Sequence, residues 1–342
     1  MTLRYGLIGF GRFGQLHAGA IERTAGAALG AICTASEASA AAAAKAHPQA
    51  RALRDWRELL ADPALDVIDI VAPNHLHAEM AIAALEAGKH VLLEKPMATT
   101  AVDCRRIIEA VERTGRLLAV GFELRLSIQW GRIKRLIDEG AIGRPRYVNI
   151  ALFRHPYRQG AAGWRYAREQ VGSWILEEPV HFYDFAMWWL EAQGDPVAVG
   201  ALGTTAGEAG MFDNFTSTIR FADGAYATIT QSLAGFGHHL VVEAAGTTGA
   251  IRATWSGADA ASATPAFDLL VGPAGMDPPR RIELTGNSGE VFELEEQIRL
   301  TTQAFAAGHT LVGAREAAKS VIVCLEAERA LREGREVPLE FD

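Results

Sequence analysis

Two short stretches of this chain carry residue types that could do chemistry together. Residues 5–20 read YGLIGFGRFGQLHAGA, an apolar run that ends in Gly9-x-Gly11-x-x-Gly14. Residues 91–97 read VLLEKPM, a second apolar run that stops on Glu94, Lys95 and Pro96. In the first, Gly9 allows a tight turn, Gly11 lets the backbone approach a pyrophosphate, and Gly14 lets a helix pack closely on a strand. The pyrophosphate would then rest on N–H groups at a helix N-terminus, where the dipole favours negative charge. In the second, a desolvated lysine can have its pKa lowered until it trades a proton with a hydroxyl. A nicotinamide dinucleotide with a lysine beside it is the layout of a redox enzyme.

Such residues need elements to hold them. Strand-like runs at 4–9, 28–33, 67–71, 90–93 and 117–121 alternate with helical stretches such as 36–47, 77–87 and 100–114. That alternation predicts a doubly wound parallel sheet covered on both faces, with ligands beyond the carboxyl ends of its strands. The alanine run at 40–44, between Glu37 and Lys45, reads as a strong helix former. After Phe122 the rhythm changes. A helix over 127–139 ends at Gly140, Gly143-Arg144-Pro145 turns the chain into a strand at 147–153, and a helix follows near 179–190. From 197 to about 294 strands dominate, with Asp223-Gly224 as a hairpin turn, and helices at 295–307 and 314–333 close the chain. The expected organisation is α/β: a dinucleotide-binding domain over 1–122, then a substrate-binding and oligomerisation domain over 123–342. The second is built on a large, mostly antiparallel open sheet, and the C-terminal helix is expected to pack back on the first.

Composition sets the broad class. A chain of 342 residues with 49% hydrophobic and 22% charged residues suits a globular protein of two domains. A net charge of −8 argues against a nucleic-acid partner. Cys33, Cys104 and Cys324 have no paired spacing, so each is expected as a small buried apolar residue in a reducing compartment. No apolar run reaches membrane length and no signal-peptide pattern opens the sequence, so a cytoplasmic protein is expected.

The chain resembles the Gfo/Idh/MocA oxidoreductase family over essentially its whole length. The resemblance rests on GFGRFG (9–14), APNHLHAEMAIAALEAGKHVLLEKP (72–96), VGFELR (120–125), GAIGRPRYV (140–148), GWR (163–165), EEPVHFYD (177–184) and GTTGAI (246–251). It implies a Rossmann domain, a second α/β domain, and NAD(P)-dependent hydride transfer on sugars, sugar derivatives or cyclic polyols and diols. It places Lys95 beside the nicotinamide and the reacting hydroxyl, and Pro96 after an unusual peptide bond. It matches His181 to the histidine of the family's DxGxHxxD motif, able to share the proton or orient the substrate. Asp184 would hold the helix or that histidine. The cofactor set is Gly9, Gly11, Arg12, Phe13, Gly14, Thr34, Ser36, Pro73, Asn74, His77, Glu94 and Lys95. The substrate set is Arg125, Trp164, Arg165, Glu177 and His181, with Glu177 also catalytic.

This chain departs from the pattern where the family has Asp and then Gly, carrying Glu177 and Pro179 instead. Glu177 keeps a carboxylate, Pro179 removes a donor, and Glu178 adds an adjacent acid. The loop over 154–168 combines Arg154, Arg158 and Arg165 with Tyr157, Trp164 and Tyr166, which suits a ring with hydroxyl or carboxylate substituents. Gln231, His238 and His239 are further lining candidates with no metal role. The second strand ends in Cys33-Thr34-Ala35-Ser36 with no acid before Glu37, a pattern that leans to NADP over NAD. The alternatives to a dehydrogenase are a glycosidase using transient oxidation and elimination, for which Glu178 is the extra acid, and a cofactor-bound sensor without catalysis. The partners expected are a small-molecule substrate and further copies of the chain, as a homodimer or homotetramer.

Overall fold

The computed structural model describes residues 2–205, 210–275 and 278–341. They form two compact units. The first comprises Met1–Glu123, Glu169–Gly172 and Leu294–Val321, and the second Leu124–Arg168, Ser173–Glu293 and Ile322–Asp342.

The first unit alternates as the hydrophobic runs predict: β1 (Leu3–Ile8), α1 (Arg12–Arg23), β2 (Ala27–Cys33), α2 (Glu37–Ala46), β3 (Arg51–Leu53), α3 (Trp56–Ala61), β4 (Val67–Ile70), α4 (His77–Glu86), β5 (His90–Glu94), α5 (Ala101–Thr114) and β6 (Leu118–Gly121). Six parallel strands lie in the order β3-β2-β1-β4-β5-β6. The order reverses between β1 and β4, which opens a crevice at their carboxyl ends. Tyr5, Leu7, Ile21, Ile32, Val67 and Leu92 are buried between sheet and helices. Helix ends follow local chemistry: the Thr100 side chain accepts the Asp103 N–H to start α5, and left-handed Gly115 (φ 64°) ends it. The short β3 escapes the sequence pattern because its three residues are exposed or half-buried and show no alternation.

Next come α6 (Trp130–Asp138) and the long strand β7 (Pro145–Arg154) of the second unit, the short helix α7 (Arg168–Val171), whose residues from 169 on belong to the first, and then α8 (Trp174–Glu177) and α9 (Val180–Trp189) of the second. Strands follow: β8 (Pro196–Thr204), β9 (Asn214–Phe221), β10 (Tyr226–Ser232), β11 (His238–Gly246), β12 (Gly249–Gly257), β13 (Ala266–Pro273) and β14 (Arg280–Arg281). After α10 (Glu290–Ala306) and α11 (Ala314–Glu333), β15 (Val337–Pro338) adds the last strand. The sheet order is β14-β13-β12-β11-β7-β10-β9-β8-β15, antiparallel except between β7 and β10. The Asp223-Gly224 hairpin forms as expected, with Gly224 at φ 89°. Helix α10 starts five residues before the expected 295, because the Glu293 carboxylate accepts the Gly289 N–H and anchors an earlier first turn. All three cysteines are buried and unpaired by disulfides.

Helix α9 has apolar residues around its whole circumference (VHFYDFAMWW), the signature of a helix buried on all sides. Strand β9 alternates buried and exposed residues, so one sheet face is covered and the other bears Thr216 against Thr230, Thr228 against Asn149, and Tyr147 beside Tyr226. Leu202, Phe153 and Tyr226 are exposed on that unit. No helix among the described residues is long and apolar enough to cross a membrane.

Candidate active site

The glycine turn shows why each glycine is there. Gly9 has φ 103°, and a Cβ on it would lie 2.1 Å from the Val71 carbonyl oxygen. A Cβ on Gly14 would lie 2.3 Å from the Gly9 carbonyl oxygen, so α1 can approach β1 only with glycine at that position. At Gly11 a Cβ would meet nothing within 4 Å. Gly11 is also the N-cap of α1, and no side chain caps it. Open space above an uncapped helix N-terminus is what a pyrophosphate requires. Arg12 is exposed as the first helical residue, and Phe13 is half-buried with its ring 5.2 Å from that of His17.

At the end of β2, Thr34 is buried and its hydroxyl donates to the Ser36 carbonyl at 3.0 Å. The Ser36 hydroxyl accepts the Ser39 N–H at 3.1 Å and caps α2. Both side chains thus shape the turn. The sequence reading passed over Arg54, which donates to the Ala35 carbonyl at 3.1 Å and puts a guanidinium at this strand end.

Beyond β4, Pro73 leads into a turn in which the Asn74 amide donates to the Val171 carbonyl at 3.1 Å. His77 is fully buried, with Nδ1 2.7 Å from the Pro96 carbonyl and Nε2 2.8 Å from the Ala72 carbonyl. His77 thus ties the β4 turn to the β5 corner through two backbone carbonyls. Glu94 is the buried last residue of β5, Lys95 is half-buried one residue on, and the Lys95–Pro96 peptide is cis. Because β1, β4 and β5 run parallel, Gly9, Pro73 and Lys95 all emerge at the same edge of this sheet.

Beneath that edge lies a cluster that the sequence reading missed. His17 on α1 is 2.8 Å from Asp69 through Nδ1 and 3.2 Å from Glu94 through Nε2. His17 and Asp69 have no exposure. Asp69 interrupts VIDI, a strand buried at every position, and an acid there demands a partner. That was the available signal.

In the second unit, the acids at the foot of α9 pair with arginines of the 154–168 loop. Glu177 ends α8 and accepts from Arg165, whose guanidinium sits 4.5 Å from the Trp164 ring. Glu178 accepts from Arg154 and lies 3.2 Å from His238 Nε2. Burial lowers the His238 pKa, and Glu178 opposes that shift. Tyr157 donates to the Gln231 amide oxygen at 2.8 Å, and burial holds its phenol well above the usual range. A water-sized cavity touches Glu178, His238, Trp255 and Glu290. The alternation of β11 buries His238 and exposes His239, so the adjacent histidines face opposite ways.

His181 is 1% exposed in the first turn of α9, its N–H bonded to the Glu178 carbonyl at 3.0 Å. Asp184, one turn on and also 1% exposed, accepts from Arg125 at 2.6 Å (Nε) and 2.7 Å (Nη2). Asp184 therefore holds Arg125, with the guanidinium 5.0 Å from the Trp188 ring. Arg125→Ala removes two charged donors from a buried carboxylate and is expected to cost about 3 kcal/mol. Urea denaturation against the wild type measures it. Among the described residues no cluster of His, Cys, Asp and Glu could hold a metal ion.

A parallel sheet with this glycine turn and strand-end lysine defines a dinucleotide-dependent enzyme class. The chain belongs to the Gfo/Idh/MocA oxidoreductase family. Residues 3–122 match the profile of the oxidoreductase family's NAD-binding Rossmann fold, and 130–252 match that of the GFO/IDH/MocA C-terminal domain. Levoglucosan dehydrogenase from Pseudarthrobacter phenanthrenivorans is 32% identical over 291 residues, 73% of each chain. Inositol 2-dehydrogenase from Salmonella typhimurium is 38% identical over 152 residues, 44% of this chain and 45% of that protein. A solved levoglucosan dehydrogenase in complex with NADH and L-sorbose superposes with a TM-score of 0.87 at 25% identity, covering 99% of this chain and all of that one.

Proposed function

We propose that this protein is an NAD(P)-dependent dehydrogenase or reductase for a sugar, sugar derivative or cyclic polyol, with Lys95 and His181 handling the hydroxyl proton. The observation that carries this reading is Lys95 at the strand edge that also bears the Gly9–Gly11–Gly14 turn. The nicotinamide, when bound, supplies the two-electron acceptor for the carbinol C–H bond. Lys95 takes the hydroxyl proton as the carbonyl forms and returns it in the reverse direction. His181 shares that proton or orients the hydroxyl. Glu177, fixed by Arg165, and the ring of Trp164 bind the sugar. Glu178, the acid that an elimination chemistry would need, is engaged by Arg154 and His238.

The relatives' chemistry supports this substrate class, since the similar proteins are dehydrogenases of levoglucosan and inositol. A preference for NADP is proposed from the acid-free end of β2 and the guanidinium of Arg54 beside it. Absorbance at 340 nm tests both, with NAD⁺ or NADP⁺ and a panel of sugars, sugar acids, inositols and cyclic diols. A rise with one alcohol identifies substrate and cofactor together, whereas silence with cofactor binding intact would defeat the dehydrogenase reading. The exposed Phe153, Tyr226 and Leu202 support a homodimer or homotetramer, and a monomer in sedimentation velocity would count against it.

A further inference from the structure

We propose that His17 is a positioning residue that acts through Glu94, supplying the counter-charge for this carboxylate so that Lys95, one residue on, can give up its proton. The inference rests on the proposed role of Lys95. Three features of the first unit carry it. The imidazole lies between two carboxylates, 2.8 Å from Asp69 and 3.2 Å from Glu94, with no exposure of the ring. Glu94 is itself only 6% exposed. Gly121 on the neighbouring strand leaves the room that Glu94 occupies, since a Cβ there would fall 2.6 Å from Glu94 Oε1.

Several titratable groups face this corner. Asp69 comes from β4, Glu94 and Lys95 from the end of β5, and His77 from α4, bonded to the Pro96 and Ala72 carbonyls. Tyr5 on β1 shares a hydrogen with Thr302 at 2.7 Å, and burial keeps its phenol neutral. Burial alone would push the His17 ring down, but Asp69 and Glu94 push it up to about 10. The two carboxylates thus favour the protonated His17 ring, and burial raises the Asp69 carboxyl against the pull of that ring. A buried carboxylate adjacent to Lys95 and lacking that cation would hold the lysine as ammonium and raise its pKa.

The test reads Lys95 itself. The chain has five lysines, so ¹³C-methylation gives a spectrum in which Lys95 is assigned by comparison with Lys95→Arg. The apo protein is titrated, with no substrate needed. His17→Gln is expected to raise the Lys95 midpoint by roughly one unit. Adding Glu94→Gln to that variant is expected to bring it back, because the carboxylate that traps the proton is gone. Glu94→Gln alone is expected to lower the midpoint, which keeps the idea testable if His17→Gln does not accumulate as folded protein. An unmoved midpoint in the single variants, or the same upward shift persisting in the double variant, would overturn the proposal. The rate–pH profile of His17→Gln for alcohol oxidation should shift to alkaline pH by the same amount. A wild type silent on every alcohol would defeat the dehydrogenase reading and leave the titration result standing.

Discussion

Replacing Lys95 by alanine is expected to slow alcohol-dependent reduction of NAD(P)⁺ by about 10²–10⁴-fold, the usual contribution of a positioned proton acceptor. The reason is local. An alcohol cannot become a carbonyl unless its hydroxyl proton leaves, and bulk water near neutrality is a poor acceptor. Lys95 is half-buried at the edge that carries the glycine turn, so its removal leaves a gap beside the cofactor's expected position and no second lysine adjacent in the sequence. The fold should hold, because Lys95 follows the end of β5 and contributes no buried apolar side chain. Cofactor affinity, read by NADH fluorescence, should change less than about threefold. Small primary amines added to Lys95→Ala should restore part of the rate by entering the gap. A variant within tenfold of the wild type would remove Lys95 from the mechanism.

The glycine turn yields the second large effect, because two of its glycines should fail in opposite ways. Gly11→Ala places a methyl in open space at an extended backbone (φ −73°, ψ −168°) that alanine adopts without strain. Thermal stability should therefore be unchanged or slightly higher, by up to about 1 kcal/mol from the stiffer unfolded chain. Binding of NADH should weaken on the order of 10²-fold if, as proposed, the open space at Gly11 receives the pyrophosphate. Gly14→Ala drives a methyl to 2.3 Å from the Gly9 carbonyl, and that clash is between backbone segments of α1 and the β1 turn. Its cost should be about 3 kcal/mol of stability, with cofactor binding lost as a consequence. Calorimetry beside NADH titration separates the two. Equal losses of stability in both variants would mean that Gly11 faces protein instead of ligand.

The parts of this protein that were readable in advance are those whose cause is local. Apolar runs of strand length separated by amphipathic stretches define the parallel sheet, and Asp223-Gly224 forms a hairpin because a tight turn needs its backbone conformation. The turn at Gly9, Gly11 and Gly14 is likewise a matter of spacing within six residues. Some contacts lie outside what spacing reveals: the Ser36 hydroxyl caps α2, and His77 bridges two loop carbonyls.

Composition and spacing alone determined the parallel α/β sheet, the glycine turn and the strand-end lysine, because hydrophobic periodicity and backbone conformation act between near neighbours. Tertiary structure alone decided which charges answer one another. Arg125 with Asp184, Arg165 with Glu177, Arg154 with Glu178 and His238, and His17 between Asp69 and Glu94 join residues from separate elements. The energy of each pairing depends on through-space distance and the exclusion of water, and only the packed fold sets these.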